Sequence, residues 1–170
     1  MPGTYEAIST TLLSSSSASI IFDNIPATYT DLRVVLYRPT GGNTNLYLQF
    51  NADSLSTTNT NYGTQELLGY LTTLTAVAQN DAYGCYVTNS QATGTGAYIC
   101  TFDVMNYVNT SNYKTTLHSF SGERGGAGWV GSGVSVWENT ARITKVTVFS
   151  PNAGAFDTGT RATIYGIKAA

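Results

Sequence analysis

Short apolar runs that alternate with polar residues recur along this chain of 170 residues. In "VSVW", for example, Val134 and Val136 fall on one side and the intervening serine on the other. Successive side chains of a strand point to opposite faces, so this alternation predicts β-strands with one buried face. The runs that predict strands are Tyr5–Leu13, Ser19–Phe22, Asp31–Tyr37, Asn45–Phe50, Glu66–Leu71, Tyr83–Thr88, Ala97–Val104, Tyr113–Phe120, Trp129–Trp137, Ile143–Phe149 and Arg161–Ile167.

The connectors between these runs are rich in Gly, Pro and Asn, which is typical of tight turns. Short strands at near-regular spacing with such turns predict an all-β fold, an antiparallel β-sandwich that is jelly-roll-like, with about eight to ten strands. We predict a single domain over residues 1–170 that begins with a short N-terminal arm, residues 1–5. In "ITKVTVF", the apolar spacing has a one-residue offset, which a β-bulge in the 143–149 strand would absorb.

One stretch departs from the strand pattern. "QELLGYLTTLTAVA" places its leucines, Leu67, Leu68, Leu71 and Leu74, at the i, i+3 and i+4 spacing of a helix face. Three nearby threonines weaken helix formation, because β-branched side chains lose rotamer freedom in a helix. The sequence therefore predicts a short helix or an irregular excursion near residues 64–78, with a regular strand as the alternative.

Charged residues make up only 11% of the chain, against roughly 25% in a typical soluble domain. The polar surface must then consist of Ser, Thr, Asn, Gly and Tyr, which suits contact with other protein surfaces because ordering a Thr costs less entropy than ordering a Lys. The net charge of −2 and the scattered basic residues argue against nucleic-acid binding. No apolar run approaches the roughly 20 residues of a membrane span, and "MPGTYEAIST" lacks the pattern of a signal peptide.

The residues that could carry chemistry form no recognisable motif. His118 is the one histidine, and no G-x-S-x-G sequence accompanies it, so we expect it to be a structural residue. The acidic residues form no close pair in sequence, and we predict no enzymatic activity, no cofactor and no metal site. Cys85 and Cys100 are expected to be free, half-buried thiols in a reducing compartment, with a cross-strand disulfide as the alternative.

Two segments are the candidates for contacts with a neighbouring protein. The arm carries Pro2 and Gly3, which favour a segment that orders on docking, and the glycine-rich stretch "GERGGAG" predicts a mobile hairpin tip. The candidate interface residues are Met1, Pro2, Gly3, Thr4, Tyr5, Gly122, Glu123, Arg124, Gly125 and Gly126. Exposed tyrosines would serve either protein contacts or stacking on sugar rings, and the candidates beside polar connectors are Tyr62, Tyr70, Tyr107 and Tyr113.

The segment "YEAISTTLLSSSSASIIFDNIPATYTDLRVVL" resembles a family of small virion structural proteins of tailed bacteriophages, common in aquatic phages. The resemblance continues in "YLQFNADS", "NYKTTLHSFSG" and "GSGVSVWENTARITKVTVFSPNAGAFDTGTRATIYGIKAA", and it covers most of the chain. Its most specific parts are "YTDLRVV", "WENTARITKVTV" and "GAFDTGTRATIYGIKAA". The central 62–91 region matches the family least.

The resemblance implies a β-sandwich on the surface of a phage particle that assembles in the bacterial cytoplasm. The first expectation is a capsid decoration (cement) protein that binds the major capsid protein or neighbouring virion proteins as a homo-oligomer, with a trimer favoured. The alternative is a tail-fibre or receptor-binding appendage that recognises host-surface glycans. The family offers no catalytic motif that could be carried over to this chain.

Overall fold

The computed structural model describes residues 5–39, 45–51, 61–87, 96–150 and 156–168. Their strands form two antiparallel sheets, a large sheet in the order β1-β12-β3-β8-β9-β10-β5-β6 and a small sheet in the order β2-β11-β4-β7. The strands are β1 (Tyr5–Leu12), β2 (Ser19–Phe22), β3 (Asp31–Arg38), β4 (Leu46–Phe50), β5 (Tyr62–Tyr70), β6 (Thr73–Ala82), β7 (Cys85–Val87), β8 (Tyr98–Val104), β9 (Lys114–Arg124), β10 (Ala127–Trp137), β11 (Val146–Phe149) and β12 (Arg161–Ile167).

The core lies between the two sheets. Along β3, Leu32, Val34 and Leu36 are fully buried while the residues between them are not, as the alternating pattern predicts. They belong to one cluster with side chains of the small sheet such as Leu48 and Val148. The predicted all-β antiparallel sandwich is confirmed, although the described residues hold twelve strands rather than eight to ten.

The predicted helix or irregular excursion near 64–78 is wrong, because this region is a β-hairpin. β5 pairs with β10 on one side and with β6 on the other. The hairpin turn carries Leu71 at a φ of 53°, a conformation that leucine rarely adopts. Leu67, Leu71 and Leu74 are exposed and form no buried helix face.

The strand predicted at 143–149 is shorter in the structure, and the predicted β-bulge that would extend it to Ile143 is wrong. β11 begins at Val146, and the preceding residues turn around the side chain of Asn51. Its Nδ2 donates to the Arg142 carbonyl oxygen at 2.7 Å, and its Oδ1 accepts from the Thr144 amide at 2.8 Å. These hydrogen bonds replace a sheet ladder, so Ile143 reaches the core from a loop.

Both cysteines are free, as predicted, but they are fully buried rather than half-buried. Cys85 lies on β7 and Cys100 on β8. Burial raises the pKa of the Cys85 thiol to about 12, and burial also raises the pKa of Cys100. Both side chains therefore behave as small core residues with protonated thiols at neutral pH.

Candidate binding surface

An apolar area occupies the solvent side of the large sheet, across strands β9, β10, β5 and β6. We call it the outer apolar face and define it by Leu67, Leu74, Leu117, Val130 and Val134. Leu74 is 87% exposed and Val130 is 58% exposed. Together the five side chains present roughly 500 Å² of apolar surface, which is at the upper end of the largest patch on a typical monomer. Patches of this size are often functional, so this face is the candidate contact site.

The outer apolar face is concave, with two adjoining depressions of about 510 Å³ and about 300 Å³. Leu67 and Ser132 line both depressions. Leu117 and Ala76 form walls of the larger one, and Leu74 lines the smaller one. The shared floor is low because Ser132 is small, so the depressions form one apolar groove along the sheet.

Two glycines of β10 face the core directly beneath this groove. In the row that crosses β9, β10 and β5, Gly133 pairs with His118 on one side and with Glu66 on the other. The His118 ring lies across Gly133, since a Cβ added there would stand 2.6 Å from Nε2. Two residues earlier, Phe120 covers Gly131 in the same way, with 2.3 Å between its Cζ and an added Cβ. The "GSG" sequence is therefore required by packing.

His118 reaches Glu66 across this glycine. Its Nε2 lies 3.0 Å from the Glu66 Oε2, and both side chains are completely buried. Nδ1 of His118 is also buried and has no hydrogen-bond partner among the described residues. A pair sealed inside the sandwich cannot touch a substrate, so the structural role expected for His118 agrees with its position. The outer apolar face above the pair consequently carries neither of these ionisable groups.

The predicted interface residues that the structure describes lie at two separate places. Residues 1–4 fall outside the described residues, while Tyr5 begins β1 and is half exposed, with the Arg33 guanidinium 5.5 Å from its ring centroid. The predicted hairpin tip is the turn between β9 and β10, where Gly125 and Gly126 both have positive φ. Glu123 accepts a hydrogen bond from the Gly126 amide across that turn. The side chain of Arg124 lies outside what the structure describes.

Tyr5 and the hairpin lie apart in the large sheet, because three strands, β12, β3 and β8, separate β1 from β9. The outer apolar face was missed in the sequence. Its signal was present in β10, where Val130 and Val134 alternate with the buried Trp129 and Ser135. A strand that carries apolar residues on both faces indicates either a buried sheet or a binding face.

Two of the four tyrosines predicted as exposure candidates are buried. Tyr62 accepts a hydrogen bond from the Phe50 amide at 2.8 Å, and Tyr107 donates one to the Pro26 carbonyl oxygen. Tyr70 is partly buried, whereas Tyr113 is 58% exposed. In the described part of the chain, Tyr5 and Tyr113 are the strongly exposed aromatic residues.

The described residues bring together no group of three or more His, Cys, Asp or Glu side chains that could hold a metal ion. Within the same ranges, no helix has the length and apolar character that a membrane crossing requires.

Comparisons with known proteins give little for this chain. No family model matches it, and no curated protein matches it. Among solved structures, a tetrameric galectin from the ball sponge Cinachyrella sp. is similar at 16% identity with a TM-score of 0.31. The similarity covers 89% of this chain and 99% of that chain. A likeness at this level supports neither a family nor a function.

Proposed function

We propose that this chain is a non-enzymatic structural protein of a tailed-phage particle, which decorates the capsid by adhering to the major capsid protein. The observation that carries the proposal is the outer apolar face, a concave and uncharged surface of roughly 500 Å² on a protein with few charges. Such a surface is costly to expose and gains free energy when a second protein covers it. The placement on a phage particle rests on the sequence resemblance.

The area of the outer apolar face limits how strongly one copy can bind. Burying roughly 500 Å² of apolar surface yields about 12 kcal/mol before the cost of association is subtracted. That cost is about 4–15 kcal/mol, so a single copy binds weakly. Several linked copies that bind one shell would be held much more strongly than one copy, because each later contact is intramolecular. Decoration by an oligomer fits this arithmetic.

The alternative, a tail appendage that recognises glycans, has less support from the described residues. Sugar recognition favours exposed aromatic rings, and Tyr62 and Tyr107, two candidates for that role, are buried. The outer apolar face itself contains no aromatic side chain.

Two substitutions at positions of similar exposure test the adhesive surface. Val130→Asp puts a charge on the outer apolar face, and Ile21→Asp puts one on the small sheet, where Ile21 is 55% exposed. We expect Val130→Asp to lose more than about tenfold in affinity for particles that lack the protein, because an unpaired carboxylate would be desolvated on docking. Ile21→Asp should bind like the wild type in the same co-sedimentation assay. Equal binding of both variants would contradict the proposed surface.

The location on the particle is tested separately by quantitative mass spectrometry of purified virions. A copy number comparable with that of the major capsid protein is expected for decoration. A copy number comparable with tail components would favour the appendage, and absence from the particle would refute both.

A further inference from the structure

Among the strands that the structure describes, four lie at sheet edges, and three of these have features that discourage pairing with another chain. β2 has 4 residues and β7 has 3, so both are too short to pair well with a strand of another chain. β1 is longer, but its register shifts between Ala7 and Ser9, and it carries Glu6 in an ion pair with Lys168 at 2.8 Å. Bulges and charges are standard protection for an edge strand.

β6 has no such protection along most of its length. It is 10 residues long and pairs regularly with β5 from Thr73 to Gln79, and its only register shift lies beyond Gln79. That regular stretch contains no proline and no charged residue, since Asp81 is the one ionisable residue of the strand. Thr73, Leu74, Thr75 and Ala76 are exposed on both faces of the sheet, so nothing in the described chain covers them.

We propose that β6 pairs with β6 of a second copy of this chain, antiparallel across a two-fold axis, and joins the two large sheets edge to edge. The contact goes beyond the proposed attachment to a capsid, because it uses the strand edge and needs no particle. Pairing with β1 of the second copy is disfavoured by the bulge and the charge on β1. The interface is therefore isologous, with the same edge on both copies.

The sequence of β6 is self-complementary in this arrangement. Full pairing of Thr73–Gln79 places the two-fold axis at Ala76, so that Leu74 of each copy opposes Ala78 of the other. The large side chain thus meets a small one on the outer side of the sheet. On the other side Thr75 opposes Val77, a β-branched pair of the kind that stabilises neighbouring strands. The two Asp81 residues lie at opposite ends of the interface, whereas parallel pairing would place them side by side.

The paired stretch of seven residues is about 23 Å long. Its backbone groups and the exposed Leu74 side chain would bury on the order of several hundred Å² in each copy, which belongs to the smaller class of protein interfaces. We therefore expect a reversible dimer whose population depends on concentration. In the dimer the two outer apolar faces form one continuous apolar surface, twice the width of that of a single copy.

Sedimentation velocity of the purified chain at rising concentration tests the association. The wild type should shift from monomer to dimer. Ala76→Lys places two ammonium groups against each other at the axis and should weaken the dimer by more than about tenfold. Ser9→Lys is the matched control, because it adds the same charge to an exposed position of the other edge strand, β1, and it should dimerise like the wild type.

Cross-linking tests the register independently of affinity. Ala76→Cys should form an intermolecular disulfide in air, whereas Ser9→Cys should form far less, and the two native cysteines are fully buried. Circular dichroism of each variant checks that the fold is retained. A wild type that stays monomeric, a dimer that Ala76→Lys leaves intact, or equal cross-linking of both cysteine variants would overturn the proposal. A mass of three chains would favour the trimer expected from the resemblance and would also overturn the two-fold contact. Failure of the dimer is distinguishable from failure of the proposed capsid attachment, because Val130→Asp and Ile21→Asp measure that attachment separately.

Discussion

Replacing Gly133 by alanine tests whether the ring that crosses β10 determines the packing of the large sheet. The added Cβ would lie 2.5 Å from the Gln65 carbonyl oxygen, and 2.6 Å and 2.7 Å from Nε2 and Cε1 of His118. The carbonyl belongs to the paired backbone of β5, so it cannot move without disturbing the ladder to β10. Relieving the contact with this carbonyl oxygen therefore strains the ladder, and the imidazole must move as well, so its hydrogen bond with Glu66 is lost.

The expected cost combines two effects. Forcing a methyl group into a filled core costs about 1–3 kcal/mol. Leaving the buried Glu66 carboxyl without its histidine partner costs about 1–3 kcal/mol more. Replacing a strand glycine by alanine recovers about 0.5–1 kcal/mol. We therefore expect the free energy of unfolding to fall by about 3 kcal/mol, a large part of the 5–15 kcal/mol typical of a whole domain.

Urea denaturation followed by tryptophan fluorescence measures this change, because Trp129 and Trp137 lie on β10 and are buried. Gly128→Ala is the control on the same strand, since an added Cβ there meets no atom of the described residues within 4 Å. It should leave stability unchanged or raise it slightly. In a His118→Ala background, Gly133→Ala should cost less, because the ring has gone. The reasoning would be refuted if Gly133→Ala were as stable as Gly128→Ala. It would also be refuted if the stability losses of Gly133→Ala and His118→Ala simply added in the double variant.

Three further predictions concern other buried or paired groups. Burial raises the pKa of Cys85 and Cys100, so the free energy of unfolding should fall as pH rises above about 9, where the thiols of the unfolded chain ionise. A thiol reagent should label neither cysteine until urea is added, and labelling of the native protein would contradict this. Asp103→Asn breaks a bidentate pair with Arg33 at 2.5 Å and 2.7 Å, but the pair is partly exposed. Urea denaturation should therefore show that the free energy of unfolding falls by at most about 1 kcal/mol, and a fall of several kcal/mol would contradict the prediction. Lys114→Met removes a buried ammonium that donates to three backbone carbonyl oxygens. We expect the free energy of unfolding to fall by about 2–3 kcal/mol in the same assay, because the three oxygens lose their donor. An unchanged free energy would mean that water replaces those contacts and would contradict the prediction.

Much of the fold could be predicted from alternation and turn residues. Each of the eleven predicted runs overlaps a strand of the structure, although several ends differ by one or more residues. The alternation worked because one face of most strands is buried, as along β3. The glycine-rich tip was placed correctly between β9 and β10, where two consecutive residues need positive φ.

β6 could not be predicted by the same reasoning. Its first residues are exposed on both faces, so no burial pattern selects between apolar and polar positions. The turn before it places Leu71 at positive φ, where glycine or asparagine would have marked a hairpin. The leucines then matched a helical period by coincidence. The outer apolar face shares its leucines with this region, so both were missed together.

The matching of rings to glycines also limits how the strands can slide. A one-residue slip between β9 and β10 turns every side chain to the wrong face, but a two-residue slip keeps each apolar residue on its own side. Hydrophobic patterning alone does not oppose that second error. His118 and Phe120 fit only over Gly133 and Gly131, so a two-residue slip would drive one ring onto a residue with a side chain. The glycines thus act as a selection for one register during folding.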